Sequence, residues 1–343
     1  MRRAPIAALA AAAFFLTHAP SPAQETGQLD SSPALFSVLA ALNAAGLDAD
    51  INSQSNSPIR AAVRQHLASK NIPSLAEIRR YIRDHRQDGD NALLARYISF
   101  ALCIDKPPDF KFRYRTNDLP PEVAAMEGFL PLLRQFHQEA GIDALYKAAQ
   151  PHFEKVIDAY HGPVSQAVLE SNGYLRNPTS GTGRRFQIYL DLLGPPNQVH
   201  TRSYGDDFFV VVTPSLEPMI DDIRHAYLQH AVSPLVMRQT EELNKRKGLL
   251  DFAQPAPLLP DPYKQDFVLL AEKSFVKAIE ARLLTGPGTA ARRQQLVDQA
   301  LADGYILTPY FAEALPGYEK QEQSMRFYFP EMITALDPKK EDK

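Results

Sequence analysis

The feature that most constrains this chain is a change of period at one loop. Before Asn177 the apolar residues recur every three or four positions; after the loop NPTSGTG, residues Asn177–Gly183, they alternate. In FQIYLDL, Phe186, Ile188, Leu190 and Leu192 fall on one face, which is the pattern of a half-buried strand. QVHTRS and FFVVVT flank YGDD and read as a hairpin. Helical spacing then returns, so a small antiparallel sheet is set between two helical stretches. The expected fold class is α+β, predominantly helical.

The helical candidates before the loop are Pro33–Ala45, Pro58–Ser69, Leu75–His85, Asn91–Ile104, Pro121–Ala140, Ile142–Ala149 and Phe153–Tyr174. Ser74 and Glu77 are spaced as a capping box for the third. After the hairpin come Leu216–Ser233, Pro262–Leu284, Thr289–Ala302, Thr308–Leu315 and Met325–Leu336, with breakers at Gln254–Pro262 and at Gly286, Pro287 and Gly288. No repeat of constant period emerges. The expected organisation is a signal peptide at 1–23, an α-helical region at 24–176 and an α+β domain at 177–343.

Arg2 and Arg3 precede an apolar run from Ile6 to Leu16, and small residues at Ser21 and Ala23 follow, which is the layout of a secretory signal cleaved after Ala23. Secretion or a periplasmic location is therefore expected. No later stretch reaches the length of a membrane span. Without Arg2 and Arg3 the 37 basic residues fall to 35, against 40 acidic ones, and there is no basic stripe, which argues against a nucleic-acid partner. Cys103 is the single cysteine, in the apolar YISFALCI, so it reads as core and the fold has no disulfide. No G-x-S-x-G elbow is present. Asp206 and Asp207 in YGDD and the short Gly181-Thr182-Gly183 read as turn residues rather than metal or phosphate holders.

The chemistry-bearing candidates lie in IRHAYLQHAVSPL, Ile223–Leu235, and in the later AEKSFVKAIEARLL. On a helix, residues four apart lie about 40° apart around the axis and residues five apart about 140° apart, so His225 and His230 cannot grip one ion from one face. His230 falls on the apolar stripe and reads as a hydrogen-bonded core histidine. His225 shares the other face with Asp221 and Gln229. Glu272 falls within the apolar stripe of its own helix, where a carboxylate needs a partner; Arg224, Arg238, Arg282 and His225 are the candidates.

This order, a hairpin strand FFVVVTPS, a helix with His225 and a Ser-Pro end, then Glu272 on a later helix, resembles the core of zincin-like metallopeptidases of the glutamate-zincin type, in an uncharacterised secreted bacterial branch. The segments GYILTPYFAEAL and EQSMRFYFPEMI share that texture, and the likeness covers roughly residues 186–333. The resemblance implies a degenerate H-E-x-x-H motif: His225 matches the first zinc histidine, Ala226 stands in place of the general-base glutamate, Gln229 replaces the second histidine, and Glu272 matches the third ligand. Tyr310 is placed where a transition-state tyrosine would be. Without a carboxylate at 226 no group takes a proton from metal-bound water, and one imidazole with one carboxylate falls short of three ligands.

The expectation is an inactive metallopeptidase homologue, without cofactor, that binds a protein or peptide in the former substrate cleft. Two alternatives stand beside it. One is an active zinc peptidase using Asp221, His225 and Glu272, which gathers two carboxylates and one imidazole; the other is a structural helical module of the cell envelope.

Overall fold

The computed structural model describes residues 28–86, 89–177 and 184–336, so the expected signal peptide lies outside the described residues. The fold is α+β and predominantly helical. A three-residue strand, β1 (Gln28–Asp30), leads into helices α1 (Pro33–Ala45), α2 (Pro58–Ala68), α3 (Leu75–Asp84), α4 (Asp90–Leu102), α5 (Pro121–Ala124), α6 (Phe129–Ala140) and α7 (Ile142–Leu175). Strands β2 (Arg185–Leu190), β3 (Gln198–Tyr204) and β4 (Asp207–Thr213) follow. The chain closes with α8 (Ile220–Met237), α9 (Thr240–Asn244), α10 (Asp261–Gln265), α11 (Phe267–Leu283), α12 (Thr289–Ala302), α13 (Thr308–Glu319) and α14 (Met325–Ala335). Among the described residues no helix is long and apolar enough to cross a membrane.

The sheet order is β1-β2-β4-β3. The sheet is mixed rather than antiparallel as expected: the β3–β4 hairpin is antiparallel, whereas β2 joins β4 in parallel and β1 joins β2 in parallel. The burial of β4 explains the mixed pairing. Phe209 and Val211 face the core built by α1 to α6, while Phe208, Val210 and Val212 face α7 and α8. A strand covered on both faces reads as a continuous apolar run, as FFVVV does, and is typical of parallel neighbours. Gly205 takes φ +56° at the first central position of the two-residue hairpin, where a type II′ turn demands a left-handed residue.

α7 is the spine of the molecule. Ile142, Ala149 and Phe153 are buried in the N-terminal core, Tyr160, Val164 and Val168 in the layer under the sheet, and Leu175 in the C-terminal core. It runs unbroken through Pro151, where the sequence pattern predicts a break, and through Pro163, which the pattern already placed inside a helix. α8 likewise runs past Pro234, and α13 past Pro316. A proline costs a helix one hydrogen bond and a clash with the preceding turn, and burial of the flanking apolar residues offsets that loss. The expected helix over 121–140 is split into α5 and α6, and the one over 262–284 into α10 and α11. Asp266 caps α11, its carboxylate accepting from the amides of Val268 and Leu269.

The expected capping box at α3 does not form. Ser74 already has helical backbone angles and makes no side-chain cap. Its amide donates instead to Glu139 at the end of α6, 2.9 Å away, so a contact distant in sequence takes over the role.

Candidate functional site

Of the residues singled out by sequence, His225, Gln229 and Glu272 lie where α8 packs against α11. The pairing is antiparallel: His225, early in α8, faces Lys273 and Glu280, while Gln229 and Ser233, one and two turns on, face Glu272. The i, i+4 spacing of His225 and Gln229 presents both to α11, and the spacing of Lys273 and Glu280 brings both to the same imidazole.

Both ring nitrogens of His225 are spent on protein groups. Nδ1 lies 2.6 Å from the Glu280 carboxylate, and Nε2 is met by the Lys273 ammonium. An ammonium only donates, so Nε2 is the acceptor and the proton sits on Nδ1, donated to Glu280. The result is a carboxylate–imidazole–ammonium chain. Burial lowers the pKa of Lys273, opposed by the charge of Glu280 beside it. The side chains of His225 and Glu280 keep about a quarter of their surface in solvent.

Glu272 is 5% exposed. Burial raises its pKa, opposed by the polar side chains of Ser233 and Gln229 and by the charges of Lys273 and Arg184. Two of the three arginines expected to pair with it are engaged elsewhere: Arg224 with Asp221 and Glu170, and Arg282 with Glu319. The carboxylate that reaches His225 is Glu280, not Glu272. Glu280 carries no motif spacing, which is why sequence pattern passed over it.

The sign of the Glu272 perturbation gives a direct expectation. A carboxylate whose folded pKa is raised contributes best below the ordinary carboxylate range, and its penalty grows as the pH rises through the folded value. Glu272→Gln keeps a polar group against Ser233 and Gln229 without the buried charge. Urea melts at pH 8 are expected to show the variant more stable than wild type by about 1 kcal/mol or more, and the gap should close at pH 4. A variant less stable at both pH values would show that the ionised carboxylate holds the two helices together.

Asp221 is 95% exposed at its side chain and accepts from Arg224 at 3.0 Å. The structure therefore does not bring Asp221, His225 and Glu272 around one point, and among the described residues no group of three or more His, Cys, Asp or Glu is placed to hold a metal ion. Ala226 is 1% exposed and packs with Ile223 and Tyr227 in the layer beneath the sheet. Tyr310 donates its hydroxyl to the Met332 carbonyl of α14. His230 is buried among Phe186, Phe208 and Tyr227, and burial with the charge of Arg184 lowers its pKa to about 4. It is a core histidine as expected, though its Nδ1 has no hydrogen-bond partner among the described residues. Cys103 is buried, and burial pushes its thiol up to about 12.

A second arrangement was not visible in the sequence. The Ser37 hydroxyl lies 3.1 Å from Nδ1 of His137, whose Nε2 lies 3.1 Å from the Asp143 carboxylate. The order matches a hydrolytic triad, but the burial is reversed. Ser37 is fully buried and donates to the Pro33 carbonyl at 2.7 Å, while the Asp143 side chain is 84% exposed. A nucleophile must face substrate, so this set ties α1, α6 and the start of α7 together and carries no chemistry.

Comparison of the chain with protein-family models, with curated proteins and with solved structures found no match, so the geometry of the α8–α11 seam carries the functional argument alone.

Proposed function

We propose that this is an exported, non-catalytic protein of zincin-like descent that binds an extended protein or peptide segment beside a former metal site. One observation carries the reading: an ammonium, from Lys273, stands against the imidazole nitrogen that a metal ion would take. The neighbours support it. Gln229 and Glu272, the other two ligand positions of the resemblance, face each other one turn further along the same seam. The position of the general base is a buried alanine packed in the apolar layer under the sheet.

Binding is supported by the free edge of the sheet. β3 pairs only with β4 among the described residues. In a two-residue hairpin the residues flanking the turn, Tyr204 and Asp207, form the hydrogen-bonded pair, so Arg202, His200 and Gln198 also bond inward. Val199, Thr201 and Ser203 then turn their amides outward. Arg202 occupies the Thr201 carbonyl at 2.7 Å, which leaves the three amides and the carbonyls of Val199 and Ser203 for an added strand.

The test is fluorescence anisotropy with labelled, unstructured peptides, beside a gel assay of the same peptides after prolonged incubation. Binding without cleavage is expected, and Thr201→Pro, which removes one outward amide without touching the β4 ladder, should weaken it about tenfold. Cleavage that a chelator abolishes would overturn the reading. Binding unchanged in Thr201→Pro would move the peptide away from β3.

A further inference from the structure

We propose that the cleft between the C-terminal ends of α7, α11 and α13 is a binding site for a singly charged carboxylate, of the kind an N-acylated amino acid or a free peptide C-terminus carries. The site goes beyond the edge-strand reading and does not depend on it. The cleft has a volume of about 490 Å³, within the size range of small-ligand sites, and three arginines, Arg176, Arg282 and Arg293, line it with Glu170 and Glu319.

Two of these guanidiniums are anchored by one edge, and that of Arg293 is open at the other. Arg282 spends Nε and Nη2 on the Glu319 carboxylate. Arg293 spends Nε and Nη2 on the Leu284 carbonyl, which would otherwise be a free acceptor just beyond α11. Among the described residues Nη1 of Arg293 has no hydrogen-bond partner, while Arg282 also meets the Tyr174 hydroxyl. Fixing one edge of an arginine removes most of the side-chain entropy that an incoming anion would have to freeze, and leaves donors suited to a planar oxyanion. Glu319 is itself held by Tyr174 at 3.0 Å as well as by Arg282, so the anchor does not swing away. Arg176 differs: its guanidinium donates to the carbonyls of Tyr318, Glu319, Gln321 and Gln323, so it contributes charge and rigidity rather than open donors.

The charge balance sets the class of ligand. Three arginines against two glutamates leave one surplus positive charge in the lining. A monoanion is matched by that surplus, whereas a phosphate dianion would meet Glu170 and Glu319 with charge left over.

The experiment is calorimetric titration of the purified protein, at fixed low ionic strength, with N-acetylalanine, N-acetylalanine amide and inorganic phosphate. These ligands are too short to add a strand to β3, so their behaviour is separable from edge binding. The acid is expected to bind, with the amide at least about tenfold weaker; Arg293→Gln should weaken the acid about tenfold or more, and Arg293→Lys less. Circular dichroism checks both variants, and Arg293→Lys keeps the comparison if Arg293→Gln fails to fold. No binding of the acid at about 10 mM, equal binding of acid and amide, or an unchanged affinity in a folded Arg293 variant would overturn the site. Phosphate binding more tightly than the acid would overturn the carboxylate assignment.

Discussion

The double variant Gln229→His with Lys273→Ala is expected to bind about one zinc ion per chain with sub-micromolar affinity. The first change puts a second imidazole four residues after His225, on the face that already meets α11. The second removes the ammonium from Nε2 of His225. With Glu272 opposite residue 229, two imidazoles and a carboxylate complete the three-ligand set a catalytic zinc requires. Glu280 already holds Nδ1 and would then serve as the outer partner that orients a metal-bound histidine. Gln229→His alone should bind at least tenfold more weakly than the pair, since Lys273 still competes for the nitrogen. Zinc uptake is read by a chelator competition assay on protein shown to be folded. A folded double variant that takes up no zinc would mean that these positions do not surround a common point, and the proposal of zincin-like descent would fall.

Asp191→Ala is expected to cost about 3 kcal/mol or more, the largest loss of any single polar truncation in the sheet. Asp191 ends the run of β2 and is fully engaged: one oxygen accepts from the Leu193 amide at 2.9 Å, the other from the Gly194 amide at 2.7 Å and the Thr213 hydroxyl at 2.9 Å. Burial raises its pKa, and these three donors together with the charge of Arg60 work against the rise. Truncation leaves two amides and a hydroxyl without an acceptor inside the protein. Gly194 belongs to the same device. A β-carbon there would stand 2.5 Å from the Asp191 carboxylate and 2.9 Å from the Thr213 hydroxyl, so Gly194→Ala should be nearly as damaging. Asn43 of α1 donates to the Leu193 carbonyl at 2.9 Å, so the turn also locks the sheet to the N-terminal helices. Urea denaturation at neutral pH measures both losses; wild-type stability in either variant would show that the turn re-forms around water.

The periodic parts of this architecture were legible in the residues. Pro33–Ala45 and Thr289–Ala302 are bounded as their caps and breakers predict, because Ser32 with Pro33 starts one and Gly288 the other. What the pattern could not show were contacts made across the chain. β1 is three residues long with no alternation to betray it, and only its parallel pairing with β2 makes it a strand. Prolines at 151, 234 and 316 signal helix ends locally, yet the flanking side chains are buried and the helices continue. In the site, the shared face of His225 and Gln229 was readable from spacing, as was the oddity of a carboxylate at 272 in an apolar stripe. Lys273 and Glu280 were not, because ordinary surface-type residues become partners of His225 only through the crossing of two helices 48 and 55 residues apart in sequence.

The most direct test of the central claim is the metal content of the wild-type protein, purified without chelator or metal-affinity resin. The Lys273 ammonium at Nε2 of His225 predicts well below about 0.1 zinc per chain, unchanged in a His225→Ala, Glu272→Ala double variant. About one zinc per chain, lost in that variant, would contradict the account and make the protein a metal enzyme.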